Sequence, residues 1–187
     1  MSQLILVTGG ARSGKSHFAE SLCRNQNNAT AYIATSVPFD EEFKARVKKH
    51  QQMRPSHWKT YEIYEDVFKS IPEIANKHKT VILDCVTLMV NNLMFKEGLD
   101  YDEMSPEEVD TLEAKIKEQF TKLLEAVKKT DLYFVIVTNE IGLSPVAGNK
   151  LTRIYTDIIG RMNQLIATYS DEVYFVISGI PMKIKGE

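Results

Sequence analysis

The segment that most constrains this chain is residues 9–16, GGARSGKS, which match the pattern G-x-x-x-x-G-K-[ST] in full. An apolar run precedes the segment and a helical pattern begins at Lys15, the strand-loop-helix setting of phosphate-binding loops. In such loops backbone N–H groups surround phosphate oxygens, and the helix N-terminus adds partial positive charge. The sequence therefore predicts a nucleotide phosphate site, with Lys15 as the catalytic cation at the β- and γ-phosphates and the Ser16 hydroxyl on Mg²⁺.

The rest of the chain alternates between apolar, β-rich runs and helical patterns. The predicted strands are residues 4–8, 30–35, 80–84, 132–138 and 172–178. The predicted helices are residues 15–24, 40–53, 86–96, 106–129 and 151–169. Continuous apolar runs suit strands that are covered on both faces. We therefore predict an α/β fold in which residues 1–187 form a single domain, a mainly parallel sheet with helices on both faces.

Composition narrows the class of protein. A formal net charge of −2 over 187 residues argues against a dedicated nucleic-acid binder. No apolar stretch approaches the roughly 20 residues that a membrane span needs. A signal peptide has Lys or Arg before its apolar run, and the first apolar run of this chain has neither. Cys23 and Cys85 lack metal-ligand spacing and are expected to be core thiols. We expect a cytoplasmic protein without a membrane span.

Small or polar residues follow the predicted strands at the point where each strand ends. They are Thr8, Gly9, Thr35, Ser36, Asp84, Thr138, Asn139, Glu140, Ser178 and Gly179. Because ligands of open parallel sheets bind beyond the carboxyl ends of the strands, the set is predicted to line one site. Asp84 ends the run VILD and is the candidate Walker B carboxylate for Mg²⁺, although an Asp after a strand is also a common helix cap.

The predicted helix 40–53 carries a histidine on its apolar face. Its apolar positions follow an i, i+4, i+7 spacing: Phe43, Val47 and His50. The residues alone leave two interpretations open for His50, a core histidine at a helix end or a nucleophile, since neutral imidazole attacks phosphorus and forms covalent intermediates. Arg46 and Arg54 are placed to neutralise phosphate charge during such a transfer.

Six segments extend the motif pattern along the chain: LILVTGGARSGKS, AYIATS, RVKKHQQMRPSHWKTYE, VILDCVTLMVNNL, VTNEIG and GRMNQLIATYSDEVYFVISGIPMKIK. With them the chain resembles, nearly end to end, the bifunctional adenosylcobinamide kinase/adenosylcobinamide-phosphate guanylyltransferase family of cobalamin biosynthesis. The run H-x-x-x-R-P-x-x-W-x-T-x-E, which begins at His50, and the segment N-E-[IV]-G are together far more specific than the phosphate loop.

The resemblance implies a RecA-like P-loop NTPase fold, a homotrimer and two reactions that use Mg²⁺. The hydroxyl of the aminopropanol arm of adenosylcobinamide is phosphorylated from ATP or GTP. GTP then donates GMP to that phosphate through a GMP–histidine intermediate, for which His50 is the implied nucleophile, giving adenosylcobinamide-GDP. The implied nucleotide contacts are Gly9, Gly10, Ala11, Arg12, Ser13, Gly14, Lys15, Ser16, Ala34, Thr35, Ser36, Gln51, Gln52, Met53, Arg54, Glu62 and Asp84.

One loop departs from the family pattern. After N-E-[IV]-G the family commonly has a G-I-V-P-x-N type loop, whereas residues 143–149 read LSPVAGN, with Ala147 in place of the proline. We predict that this loop lies outside the nucleotide site.

Two alternatives stand beside the main hypothesis. The first is an ordinary small-molecule P-loop kinase in which His50 is structural. The second is a non-enzymatic nucleotide-binding module, against which the complete set Lys15, Ser16 and Asp84 argues, because a pure binder needs no full metal and γ-phosphate apparatus.

Overall fold

The structure is a computed structural model, and it describes residues 2–36, 55–96, 98–143 and 145–186. Seven strands form one sheet: β1 Gln3–Gly9, β2 Thr30–Ala34, β3 Lys59–Glu62, β4 Thr80–Asp84, β5 Tyr133–Val137, β6 Glu172–Ile177 and β7 Ile180–Lys185. The described residues form five helices: α1 Lys15–Asn25, α2 Val67–Lys77, α3 Val86–Phe95, α4 Pro106–Lys128 and α5 Lys150–Tyr169. The predicted helix 40–53 lies outside the described residues.

The strand order is β3-β2-β4-β5-β1-β6-β7. Strands β1 to β6 are parallel, and β7 pairs antiparallel with β6 at one edge. Helices α2 to α5 pack on one face of the sheet and α1 packs on the other. The predicted α/β fold with a mainly parallel sheet and helices on both faces is confirmed, and the phosphate loop follows β1 directly.

The two faces explain why the strands are uninterrupted apolar runs. Successive side chains of a strand point to opposite faces, so a strand that is covered on both sides needs apolar residues at every position. In β1, Leu4 and Leu6 belong to the core under α2 to α5, whereas Ile5 and Val7 belong to the core under α1. We call these the large core and the α1 core.

Three elements were not predicted from the sequence: β3, α2 and β7. Helix α2 contains Pro72, a residue that usually breaks a helix interior, but its buried face of Val67, Ile71 and Ile74 joins the large core. All six residues of β7 are exposed, so no buried face gives that strand an alternating pattern of burial.

Both cysteines are buried, as expected, and lie in the α1 core. Burial is the main cause that raises the pKa of the Cys23 thiol to about 12 and that of the Cys85 thiol to about 11. Both therefore stay protonated at neutral pH and pack as small apolar side chains. Within the described ranges, none of the helices combines the length and apolar character that crossing a bilayer requires.

Candidate nucleotide site

The carboxyl ends of the parallel strands bring the predicted site residues to one edge of the sheet. Ala34 of β2 is paired with Glu62 of β3 on one side and with Asp84 of β4 on the other. Asp84 is paired in turn with Val137 of β5, and β5 lies between β4 and the strand β1 that leads into the phosphate loop. The carboxyl ends of these strands therefore lie at one edge of the sheet, and the prediction that the residues after them line one site stays a prediction.

The phosphate loop is shaped by close backbone approaches that require glycine. A Cβ at Gly9 would lie 2.5 Å from the carbonyl oxygen of Val176 in β6, so β1 passes this point only without a side chain. Gly14 has φ of 93° and its missing Cβ would lie 3.1 Å from the Cα of Gly179. The Gly179 N–H donates to the Ser13 carbonyl at 2.7 Å. The turn between β6 and β7 thus holds the loop against the end of β1.

The first turn of α1 presents positive groups at the end of this loop. Gly14 is the N-cap of α1 and offers no side chain to the N–H groups of that turn, which leaves them suited to an anion. The Lys15 side chain is buried, and its Nζ donates to the Gly10 carbonyl at 3.0 Å, which places the ammonium inside the loop. Ser16 is half-buried beside it, and Ala11 and Arg12 are exposed at the tip.

Two buried hydroxyls at this position lack protein partners. Among the described residues, Thr8 Oγ1 at the end of β1 and Ser13 Oγ in the loop are buried side-chain atoms with no hydrogen-bond partner. A buried polar group left without a partner costs about 1–3 kcal/mol. Because Ser13 lies in the phosphate loop and Thr8 directly precedes it, a polar ligand bound here would offset a cost that the protein alone leaves in place.

Asp84 lies on the same face of the sheet as the start of α1. Its strand neighbours Ala34 and Val137 both belong to the α1 core, and paired residues of neighbouring strands share a face. The carboxylate is half-buried, and the Tyr32 hydroxyl donates to its Oδ2 at 2.7 Å. A carboxylate and a serine hydroxyl beside a phosphate loop fit Mg²⁺, which takes oxygen ligands and needs only one or two from protein when phosphates and water supply the rest. In the described ranges no three His, Cys, Asp or Glu side chains cluster as a metal site.

The chain is similar to a known protein family over nearly its whole length. The family model described as "Cobinamide kinase / cobinamide phosphate guanyltransferase" matches residues 5–184. The chain belongs to this family. It is 43% identical over 184 residues to the bifunctional adenosylcobalamin biosynthesis protein CobU of Escherichia coli (strain K12), covering 97% of this chain and 99% of that protein.

Two further relatives span the same length. The CobU protein of Salmonella typhimurium is 41% identical over 184 residues, covering 97% of this chain and 99% of that protein. The bifunctional adenosylcobalamin biosynthesis protein CobP of Pseudomonas aeruginosa is 34% identical over 182 residues, covering 97% of each chain. The predicted family resemblance is therefore confirmed.

The residues that follow β2 have different surroundings from one another. Thr35 is fully buried, and its hydroxyl donates to the Cys85 carbonyl at 2.7 Å while accepting from the Cys85 N–H at 2.8 Å. Ser36 is half-buried and Glu62, at the end of β3, is exposed. Thr35 therefore braces the chain just after Asp84, and the nucleotide contacts predicted for these three residues and for Ala34 remain predictions.

The predicted nucleophile lies outside the described residues. His50 falls there together with Gln51, Gln52, Met53 and Arg54. Ser36, the last described residue before them, lies two residues beyond the end of β2 and thus at the carboxyl edge. The catalytic role of His50 and the nucleotide contacts of its neighbours stay predictions that rest on the family pattern.

Sequence reasoning missed the residues that support the site rather than line it. The Tyr32 contact to Asp84 and the Gly179 contact to the loop both join segments far apart in the chain. The position of Tyr32 two residues before Ala34 in one strand was the available signal, because such residues share a face. Asn149 of the variant loop proves to be the N-cap of α5, with its Oδ1 accepting from the Thr152 N–H at 2.7 Å.

Proposed function

We propose that this protein phosphorylates the hydroxyl of the aminopropanol arm of adenosylcobinamide with ATP or GTP, and then transfers GMP from GTP to the new phosphate. The product is adenosylcobinamide-GDP. The observation that carries this proposal is the phosphate loop placed beside Asp84 at one sheet edge, in a chain that matches its family from residue 5 to residue 184.

In the first reaction the acceptor hydroxyl oxygen bonds to the γ-phosphorus as the bond to the β–γ bridging oxygen breaks. Catalysis of such a transfer is almost entirely positioning and charge stabilisation. The N–H groups of the loop and of the first turn of α1 orient the phosphates, and Lys15 neutralises charge that develops on the γ-phosphoryl group. Ser16 and Asp84 are the residues that would hold Mg²⁺, which supplies further neutralisation of the phosphate charge when bound.

In the second reaction an imidazole nitrogen of His50 bonds to the α-phosphorus of GTP and pyrophosphate leaves. The phosphate of the corrinoid then attacks the phosphorus of the GMP–histidine intermediate and frees the imidazole. Two steps through a covalent intermediate replace one difficult step. This assignment rests on the family pattern that begins at His50. Arg54 lies in the same run and supplies a positive charge that would neutralise the phosphates.

The protein is further proposed to work in the cytoplasm as a homotrimer, as the family resemblance implies. Four apolar side chains on the β6–β7 hairpin are exposed, Ile177, Ile180, Met182 and Ile184, and exposed apolar clusters mark contact surfaces. Light scattering during size-exclusion chromatography measures the assembly. A monomer mass for the wild-type protein contradicts the trimer, and an unchanged trimer for Ile180→Lys places the contact elsewhere.

Product analysis tests the proposed activity against both alternatives. The protein is incubated with adenosylcobinamide and Mg²⁺, first with ATP alone and then with GTP added, and the corrinoids are identified by mass spectrometry. We expect corrinoid phosphate in the first incubation and adenosylcobinamide-GDP in the second. Corrinoid phosphate in both incubations indicates an ordinary kinase, and nucleotide binding without either product indicates a non-enzymatic module.

A further inference from the structure

A buried tyrosine contacts the candidate metal ligand directly. Tyr32 lies in the middle of β2, only 1% exposed, within the α1 core. Its hydroxyl donates to Asp84 Oδ2 at 2.7 Å. The strand register explains the contact, because Tyr32 is paired with Ile82, two residues before Asp84 on the same face of β4. The long tyrosine side chain reaches along this face to the carboxylate at the strand end.

The residue that follows β2, Thr35, holds the backbone around Asp84. The Thr35 N–H donates to the Asp84 carbonyl at 3.2 Å, and the Thr35 hydroxyl bonds to both backbone polar groups of Cys85. Thr35 therefore fixes the main chain at the Asp84 carbonyl and at Cys85, and the Tyr32 hydroxyl fixes the carboxylate of Asp84. The hydrogen bond goes to Oδ2, so Oδ1 is the carboxylate oxygen that Tyr32 does not contact.

This arrangement has a consequence for metal binding. A carboxylate accepts on two oxygens, and a donor on one of them sets the plane in which the other is presented. Side chains that hydrogen-bond to a metal-binding residue, without contacting the metal themselves, typically contribute a factor of about 10–100 to metal affinity. A buried hydroxyl does this well, because its own position is set by the packing of its ring.

We propose that Tyr32 is a positioning residue for Mg²⁺: its hydroxyl orients the Asp84 carboxylate so that Oδ1 faces the metal or a water bound to it. The proposal rests on the metal role proposed above for Asp84. It assigns to Tyr32 an effect on metal affinity and on the metal dependence of phosphoryl transfer, with none on the affinity for metal-free nucleotide.

The test is Tyr32→Phe, which removes one oxygen and keeps the ring that packs in the α1 core. Calorimetry measures GTP binding in the presence of a chelator, and electron paramagnetic resonance measures Mn²⁺ binding to the GTP complex as a substitute for Mg²⁺. We expect GTP affinity in chelator to stay within about twofold and Mn²⁺ affinity to fall by about 10-fold or more. Unchanged Mn²⁺ affinity overturns the proposal.

The chain offers a matched control. The Tyr174 hydroxyl donates to Glu172 Oε2 at 2.6 Å, which is the same kind of tyrosine–carboxylate hydrogen bond. Glu172, however, begins β6 and so lies at the amino ends of the parallel strands, away from the carboxyl ends where Asp84 lies. We expect Tyr174→Phe to leave both GTP and Mn²⁺ affinity unchanged. A loss of Mn²⁺ affinity in Tyr174→Phe equal to that in Tyr32→Phe would mean that the effect is general to the fold, and would overturn the assignment.

Asp84→Asn separates failure of this inference from failure of the metal role. If Asp84→Asn leaves Mn²⁺ affinity unchanged, the proposed metal role of Asp84 is wrong. If it weakens Mn²⁺ binding and Tyr32→Phe does not, only the positioning role is wrong. In the double variant the second change should add no further loss, because residues that act through one contact are not additive. A full additional loss from Tyr32→Phe in the Asp84→Asn background contradicts action through Asp84, and thermal unfolding of each variant identifies any loss that comes from misfolding.

Discussion

The two faces of the sheet differ in what they bury. The large core joins the sheet to α2, α3, α4 and α5 and holds most of the buried apolar side chains of the described residues. The α1 core is the smaller of the two clusters in the described residues, and it includes Tyr32 and both thiols. At its carboxyl edge it ends against Asp84, Lys15 and the phosphate loop.

The two faces of the sheet contribute differently to the stability of the fold and to the chemistry of the site. Apolar burial contributes about 25 cal/mol per Å², so the face with more buried apolar side chains supplies more of the folding free energy. The α1 face instead places a few polar groups on rigid strands and at a helix start, as a binding site requires. Substitutions on the two faces should therefore be separable by measuring stability and activity independently.

The largest expected change in stability lies on the large-core side. Phe120 of α4 is fully buried there. Phe120→Ala should lower the free energy of unfolding by about 3–5 kcal/mol, because it removes transfer free energy and leaves a cavity. Urea unfolding measures this loss. GTP affinity of the variant, measured where it is still folded, should match the wild type, and a several-fold loss there would break the division between the faces.

The largest expected change in phosphoryl transfer lies on the α1 side. Lys15→Ala removes the ammonium that lies inside the loop, and removal of one such stabilising group costs about 10²–10³-fold in rate. Kinase rates at saturating ATP measure the effect, and urea unfolding should show a much smaller change than in Phe120→Ala. Lys79→Ala is the control, since Lys79 is an exposed lysine that pairs with Asp131 at the surface. A wild-type rate for Lys15→Ala contradicts the assignment.

The smallest expected effect is in the loop that departs from the family pattern. Ala147 is half-buried, and its carbonyl accepts from Arg153 Nη1 at 3.0 Å, next to Asn149 at the start of α5. These contacts tie the loop to a helix of the large-core face, so Ala147→Pro should leave GTP affinity within about twofold. If the backbone at this position suits proline, the free energy of unfolding should change by only about 0.4–1 kcal/mol. A several-fold change in GTP binding by calorimetry would show that the loop reaches the nucleotide.

The sequence was informative where a pattern is local. The phosphate loop, β1, β4 and β5 follow from a motif and from continuous apolar runs. The missed elements lack such a signal: β3 has four residues and none of them is buried, α2 contains Pro72, and β7 buries no face. These elements are stabilised by partners far away in the chain, which a window of neighbouring residues does not contain.

The same limit applies to the site. Lys15 and Ser16 were predicted from the phosphate-loop motif and Asp84 from its place at the end of an apolar strand, and their roles stay predictions. The Tyr32 hydrogen bond to Asp84 depends on β2 lying beside β4 in one register, although β3 and α2 separate them along the chain. Thr35 likewise carries no sign of its buried contacts with Cys85 in the sequence around it. Register is a non-local property, so the face that Tyr32 shares with Ala34 could not by itself show that Tyr32 contacts Asp84.

The proposed activity divides two reactions between two parts of the chain: the phosphate loop serves phosphoryl transfer, and His50 serves only guanylyl transfer. The most direct test is intact mass spectrometry of the wild-type protein and His50→Ala after incubation with GTP and Mg²⁺, together with the yields of corrinoid phosphate and adenosylcobinamide-GDP. We expect the wild type to gain the mass of one GMP, in an adduct that is lost in acid and stable in base, as a phosphoramidate is. In His50→Ala we expect neither the adduct nor adenosylcobinamide-GDP, with corrinoid phosphate still formed. An adduct in His50→Ala would place the nucleophile elsewhere, and loss of both products from a folded variant would contradict the separation of the two reactions.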